Sequence, residues 1–167
     1  MEQIFLNYRK DGGSYAAALL DELLSKRFGE SRVFRAARSI PPGSDYPDAI
    51  LGAAARCEIL LAVVDPGWRN HFSTGPGATD PEENWVTREM AEAFENDRTV
   101  IPVLLSNTPR LDATALPHTP TLTRLARLQY LRFDYRHIHR DTAAMTDQLT
   151  RMCPRLIPLD TPAPAEA

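Results

Sequence analysis

Two stretches of the chain, residues 58–64 (EILLAVV) and Thr99–Leu105 (TVIPVLL), are almost wholly apolar and lack the alternation of a strand with one wet face. Strands covered on both faces read this way, and parallel sheets gain that cover from the helices of their own crossovers. The neighbouring segments fit such a sheet. Residues 3–8 (QIFLNY) have a short strand pattern, and residues 14–27 an Ala/Leu-rich helix pattern. Arg32-Val33-Phe34 is a brief strand, followed by a loop, RAARSIPPGSD, broken by Pro41, Pro42 and Gly43. Residues 45–55 have helix character. Residues 81–95 are helical, with Val86, Met90, Ala93 and Phe94 at core-facing spacing. A weaker helix, a fifth strand over residues 128–133 and a last helix over residues 141–152 complete the alternation. The pattern predicts an α/β fold of the flavodoxin-like kind, a central five-stranded parallel sheet with helices on both faces.

At 167 residues the chain has the length of one domain, expected over residues 1–153. Residues 154–167 (PRLIPLDTPAPAEA) are Pro/Ala-rich and read as a flexible tail. Acidic residues outnumber basic ones, 22 to 19, for a net charge of −3. A duplex-binding surface carries a basic surplus, so nucleic acid is not an expected partner. The opening MEQIFLNY has no signal-peptide pattern and no apolar run reaches a membrane-spanning length. Cys57 and Cys153 have neither metal-ligand nor redox-motif spacing, which suits a reducing compartment. The expectation is a cytoplasmic protein with no membrane partner.

In open sheets of this class, ligands bind beyond the carboxyl ends of the strands where the strand order reverses, between strands one and three in the flavodoxin-like order. The loop after strand one is Arg9-Lys10-Asp11-Gly12-Gly13, and the segment after strand three covers residues 65–80. These two are expected to face each other. The segment leads into DPEENWVTRE, where Asp80 reads as a helix cap, Pro81 as its first position and Glu83, three residues after the cap, as completing a capping box. Trp85 and Glu89 are four apart and share one side of that helix. On spacing alone, a glutamate there is more often solvated or ion-paired than catalytic, and an early-helix tryptophan more often packs.

Several segments, in order, resemble the Toll/interleukin receptor (TIR) family. Ile4-Phe5-Leu6-Asn7-Tyr8-Arg9-Lys10 is similar to its opening strand. Arg32-Val33-Phe34 with Ser39-Ile40-Pro41-Pro42-Gly43 resembles its second strand and BB loop. Ala62-Val63-Val64-Asp65-Pro66-Gly67-Trp68 resembles the third strand and its exit, and Val100-Ile101-Pro102-Val103-Leu104 the fourth. Asn84-Trp85-Val86-Thr87-Arg88-Glu89-Met90 is similar to the W-V-x-x-E-I helix of NAD-cleaving members. The resemblance spans roughly residues 3–150.

It implies a bacterial TIR domain that cleaves NAD into nicotinamide and ADP-ribose or a cyclic isomer, in antiviral defence or signalling. Glu89 is then the essential acid, with Tyr8, Arg9, Phe34 and Trp85 around the nucleotide and Lys10 a looser match. NAD is the substrate and no cofactor is implied. Self-association through TIR–TIR contacts and a separate effector protein are the implied macromolecular partners. For Arg9 the residues leave two readings open, a diphosphate partner or a surface salt bridge. For Phe34 they leave base stacking or core packing. One departure concerns the BB loop, where many members carry an acid and this chain has Arg35-Ala36-Ala37-Arg38.

Other functions fit less well. A non-catalytic adaptor would use the acidic residues 80–97 against Arg124, Arg127, Arg132, Arg136 and Arg140 in head-to-tail contacts. A phosphoacceptor receiver domain would use Asp65 and Ser106, but strand one ends without the acid pair that holds magnesium, and strand five without a lysine. His137 and His139 alternate, yet no acidic or cysteine partners stand at ligand spacing.

Overall fold

Strands β1 (Ile4–Asn7), β2 (Val33–Phe34), β3 (Ile59–Val64), β4 (Thr99–Leu105) and β5 (Leu131–Phe133) form one sheet in the order β2-β1-β3-β4-β5. Every neighbouring pair is parallel, with Phe5 opposite both Phe34 and Leu60, Leu61 opposite Ile101, and Leu105 opposite Phe133. This is the five-stranded flavodoxin-like order expected from the sequence. These relationships come from a computed structural model, which describes residues 2–72, 81 and 84–159.

The side chains of one strand alternate between two cores. Phe5, Leu60, Ala62 and Val64 face a core shared with Ile50, Met90, Phe94, Leu122 and Leu125. Ile4, Leu6, Ile59, Leu61 and Val63 face the other, shared with Leu20, Leu24, Met145 and Leu149. All six residues of β3 are buried. The unbroken apolar run in the sequence therefore reflects two half-filled faces, each needing its own helices.

Helices α1 (Lys10–Phe28), α2 (Ala36–Ser39), α3 (Tyr46–Arg56), α4 (Trp85–Glu95), α5 (Pro120–Ala126) and α6 (Ile138–Met152) supply that cover. Helix α1 starts at Lys10 and not at Ser14, so the expected loop of residues 9–13 is largely helix. Its glycines allow close approach. A Cβ on Gly13 would sit 3.0 Å from that of Tyr8, and one on Gly12 would overlap Arg9 and Asp65. The loop after β2 contains the single turn α2. Helix α4 begins at Trp85, with Asn84 as its cap accepting from the Val86 amide, not at Pro81. The expected cap Asp80 and capping-box Glu83 lie outside the described residues. Strand β5 is shorter than expected, because Leu128 N–H still bonds to the Leu125 carbonyl at the end of α5. His139 lies within α6.

The segment read as a tail is packed at its start. Leu156 is buried in the α1/α6 core, and the Leu159 amide donates to the Arg27 carbonyl at 2.8 Å. Among the described residues no helix is long and apolar enough to cross a membrane, and no group of three or more metal-ligating side chains occurs.

Candidate active site

Asn7 is the last residue of β1, and β1 lies between β2 and β3, where the strand order reverses. Its side chain is fully buried and points at α4. The Asn7 Nδ2 donates to the Val86 carbonyl at 3.0 Å and to Glu89 Oε1 at 3.3 Å. An apolar strand ending in a polar residue thus fixes the height and rotation of α4 at the carboxyl edge of the sheet.

Glu89 is 7% exposed, on the face of α4 that carries Val86, Met90 and Ala93. Among the described residues no cation lies within ion-pairing distance of it. Burial pushes its carboxyl up to about 8, against the opposing effect of the Asn7 hydrogen bond. Removing an unpaired carboxylate from water is costly, so the group holds its proton instead.

Aromatic side chains surround this acid. Tyr8 follows Asn7 and is partly buried; burial raises its phenol, Arg35 opposes the rise, and Glu89 adds to it. Burial likewise raises Tyr46, the first residue of α3, with further contributions from Glu89 and Tyr8. Tyr8, Tyr46 and Glu89 therefore share one electrostatic neighbourhood. The rings of Tyr46 and Trp85 meet edge to face at 5.6 Å, and the Arg88 guanidinium lies 4.3 Å over the outer side of that indole.

The other expected residues fall into three environments. The Arg9 Nε donates to both Asp65 oxygens at 2.9 and 3.1 Å, and Nη2 donates to Oδ2 at 2.7 Å. Asp65 also accepts from the Gly67 amide at 3.1 Å. A Cβ on Gly67 would stand 2.6 Å from Arg9 Nη2, so Gly12 and Gly67 clear the space for this pair. Lys10 is exposed at the start of α1. Phe34 is buried and stacked on Phe5, with centroids 4.9 Å apart and an 18° interplanar angle. Phe34 is a core side chain.

The arginines that replace the BB-loop acid have a partner in α1. Asp21 Oδ2 accepts from Arg35 Nε at 2.7 Å and from Arg38 Nε at 2.8 Å, and Oδ1 accepts from Arg38 Nη2 at 2.8 Å. Burial alone would raise the Asp21 carboxyl, but Arg38, Arg35 and Ser25 together hold it below its ordinary value. Sequence reasoning missed Asn7, Asp21 and Tyr46. Asn7 had a visible signal, a polar residue ending an apolar strand; Asp21 and Tyr46 gave none.

A doubly wound parallel sheet with a buried carboxylate at the strand-order reversal defines an α/β domain of the flavodoxin-like class. The chain belongs to the TIR domain family, whose model matches residues 4–150. No curated protein matches it in sequence. Solved structures share the fold. The TIR domains of the activated Roq1 resistosome, which directly recognizes the pathogen effector XopQ, align with a TM-score of 0.58 and 13% identity over 90% of this chain and 98% of theirs. The TIR domain of the Toll-related receptor TRR-2 from Hydra magnipapillata aligns at 0.57 and 14%, over 91% and 98%. A metazoan TIR-STING receptor from C. gigas, in complex with 2',3'-cGAMP, aligns at 0.57 and 22%, over 95% of this chain and 41% of that one.

Proposed function

We propose that this domain cleaves NAD at the bond between nicotinamide and ribose, with Glu89 as the catalytic carboxylate. The supporting observation is the burial of Glu89 without a cation, held by Asn7 at the carboxyl edge of the sheet. Such an arrangement costs stability, and sites of chemistry are where proteins retain costly ionisable groups. Family membership and the W-V-x-x-E segment agree with the reading.

The chemistry asks for one carboxylate. Ordinary glycosidases also need an acid to protonate a departing oxygen. The nicotinamide of NAD is already cationic and leaves as a neutral ring, taking the bonding electrons with it. Positive charge then develops on the ribose, and a nearby carboxylate stabilises it. Glu89 is protonated in the free domain near neutral pH. The entering nicotinamide cation favours the ionised form and drives its proton out. Tyr8 and the Trp85–Tyr46 pair offer flat walls for the ring and sugar. Water attack at the ribose carbon yields ADP-ribose and a proton; attack by an adenine nitrogen or a ribose hydroxyl yields a cyclic isomer. Self-association, and passage of the product to a separate effector in bacterial antiviral signalling, belong to the same reading.

The adaptor alternative rests on separated charge, and part of that separation closes within the domain. Arg124 of α5 lies 4.2 Å over the ring of Phe94 in α4, placing a basic residue beside the acidic helix.

The deciding experiment is chromatography of NAD incubated with concentrated, bead-clustered protein, wild type against Glu89→Ala. Nicotinamide from wild type alone supports the enzyme. No nicotinamide from either moves the assignment to the adaptor.

A further inference from the structure

Arg9, Arg35 and Arg38 differ in how their guanidinium groups are engaged. Arg9 faces Asp65 one to one, with Nε and Nη2 engaged, and it is 17% exposed. Arg35 and Arg38 share a single buried carboxylate, Asp21. Arg38 is further occupied by the Val33 carbonyl at 2.7 Å and by Glu30 Oε1 at 3.2 Å. Among the described residues Asp21 is the one carboxylate bonded to Arg35, and only the Arg35 Nε is committed to it. Arg38 is thus engaged through Nε, Nη1 and Nη2, whereas the terminal nitrogens of Arg35 bond to no carboxylate among the described residues.

Arg35 is also in the right place. Its side chain is 22% exposed. Arg35 follows Phe34 at the carboxyl end of β2, beside the end of β1, and its charge lowers the Tyr8 phenol that Glu89 raises. A ribose over Tyr8 would have Arg35 as a cation available to its 5′-phosphate. A guanidinium presents paired N–H groups that match phosphate oxygens, and it stays charged at every working pH.

We propose that Arg35 is the diphosphate-binding residue of this domain and that Arg9 is a structural residue, an inference that rests on reading the site as one for NAD. The departure at residues 35–38 then has a function. It brings a phosphate-binding guanidinium to the site from the loop after β2.

ADP carries the diphosphate without the scissile bond, so calorimetric titration of ADP tests the proposal apart from cleavage. Adenosine serves as the probe without phosphate. The proteins are wild type, R35Q and R38Q; R38Q removes a guanidinium from the same carboxylate but leaves the Tyr8 side unchanged. Thermal melts of all three confirm folding, since Asp21 keeps one arginine in each variant. The expected result is ADP affinity lowered about tenfold or more in R35Q and little changed in R38Q, roughly the loss of one charge-assisted contact. Adenosine should bind all three alike. Equal ADP affinity in wild type and R35Q, equal losses in R35Q and R38Q, or no ADP binding by wild type would each overturn the proposal. NAD cleavage measured alongside separates the two claims. Arg35-dependent ADP binding without nicotinamide release overturns the NAD reading alone. Nicotinamide release with unchanged KM in R35Q overturns the assignment of Arg35 alone.

Discussion

The Asn7 side-chain amide reaches Glu89 Oε1 at 3.3 Å, joining the end of β1 to the second turn of α4. The same nitrogen donates to the Val86 carbonyl, while Asn7 Oδ1 is buried without a partner among the described residues. Leucine at position 7 therefore removes one satisfied and one unsatisfied polar group, and the two stability effects oppose each other. The loss should fall on chemistry. Without the Asn7 donor, which favours ionisation, the Glu89 carboxyl rises further. Asn7→Leu should keep a melting temperature near that of wild type but cleave NAD more slowly at pH 7, with the ascending limb of its pH–rate profile moved to higher pH. A profile superimposable on wild type would remove Asn7 from its positioning role.

Glu89 also makes stability depend on pH in a direction opposite to most carboxylates. Its ordinary value is 4.5, and in the folded domain it is near 8. Between those values the native state holds a proton that the unfolded chain has released. Stability from this group is full below about pH 4.5 and declines as pH rises toward 8. Glu89→Gln keeps the shape and has no proton to lose. The two proteins should melt at similar temperatures near pH 5, and the glutamine variant several degrees higher at pH 8. Equal melting temperatures across this range would mean that the folded carboxyl titrates like an exposed one.

The sheet was legible in the sequence because parallel strands buried on both faces leave no polar residue in register, as in residues 59–64. The burial of Glu89 was not legible, since a single glutamate in an amphipathic helix carries no sign of it, and Trp85 and Val86 singled the residue out only by resemblance. Asp21 shows why the rest was hidden. It sits in the middle of α1, four residues before Ser25, and reads as a solvated helix position. Its burial depends on Arg35 and Arg38 folding back from another element. The start of α1 was misplaced for a similar reason. Gly12 and Gly13 break helices in isolation, but here tertiary contacts with Arg9, Asp65 and Tyr8 require residues without a Cβ.

The Arg9–Asp65 pair is one of those contacts, and removing half of it isolates a carboxylate that is 4% exposed. Arg9→Ala should cost about 1–3 kcal/mol in urea unfolding, less than a fully buried pair because the arginine is partly solvated. Lysine should recover only part of this. One ammonium cannot reproduce the fork in which Nε and Nη2 both bond to the carboxylate. A neutral Arg9→Ala substitution would show that the pair contributes nothing and that Asp65 is satisfied by the turn alone.

The pH dependence of NAD cleavage should differ between the free and the occupied site. The limb of kcat/KM reports the free domain, where the Glu89 carboxyl is pushed up to about 8 by burial. Activity that needs the carboxylate should therefore rise with pH through that region. The limb of kcat reports the complex, in which the proposed function puts the nicotinamide cation beside the carboxylate and so favours its ionised form. That limb should fall at lower pH, and the separation of the two limbs measures the coupling between substrate charge and the Glu89 proton. Binding of NAD should accordingly release protons near pH 7, seen as a calorimetric heat that varies with the ionisation enthalpy of the buffer. Coincident limbs and no proton release would show that Glu89 does not pair with the ring's charge, leaving it the role of orienting the ribose hydroxyls.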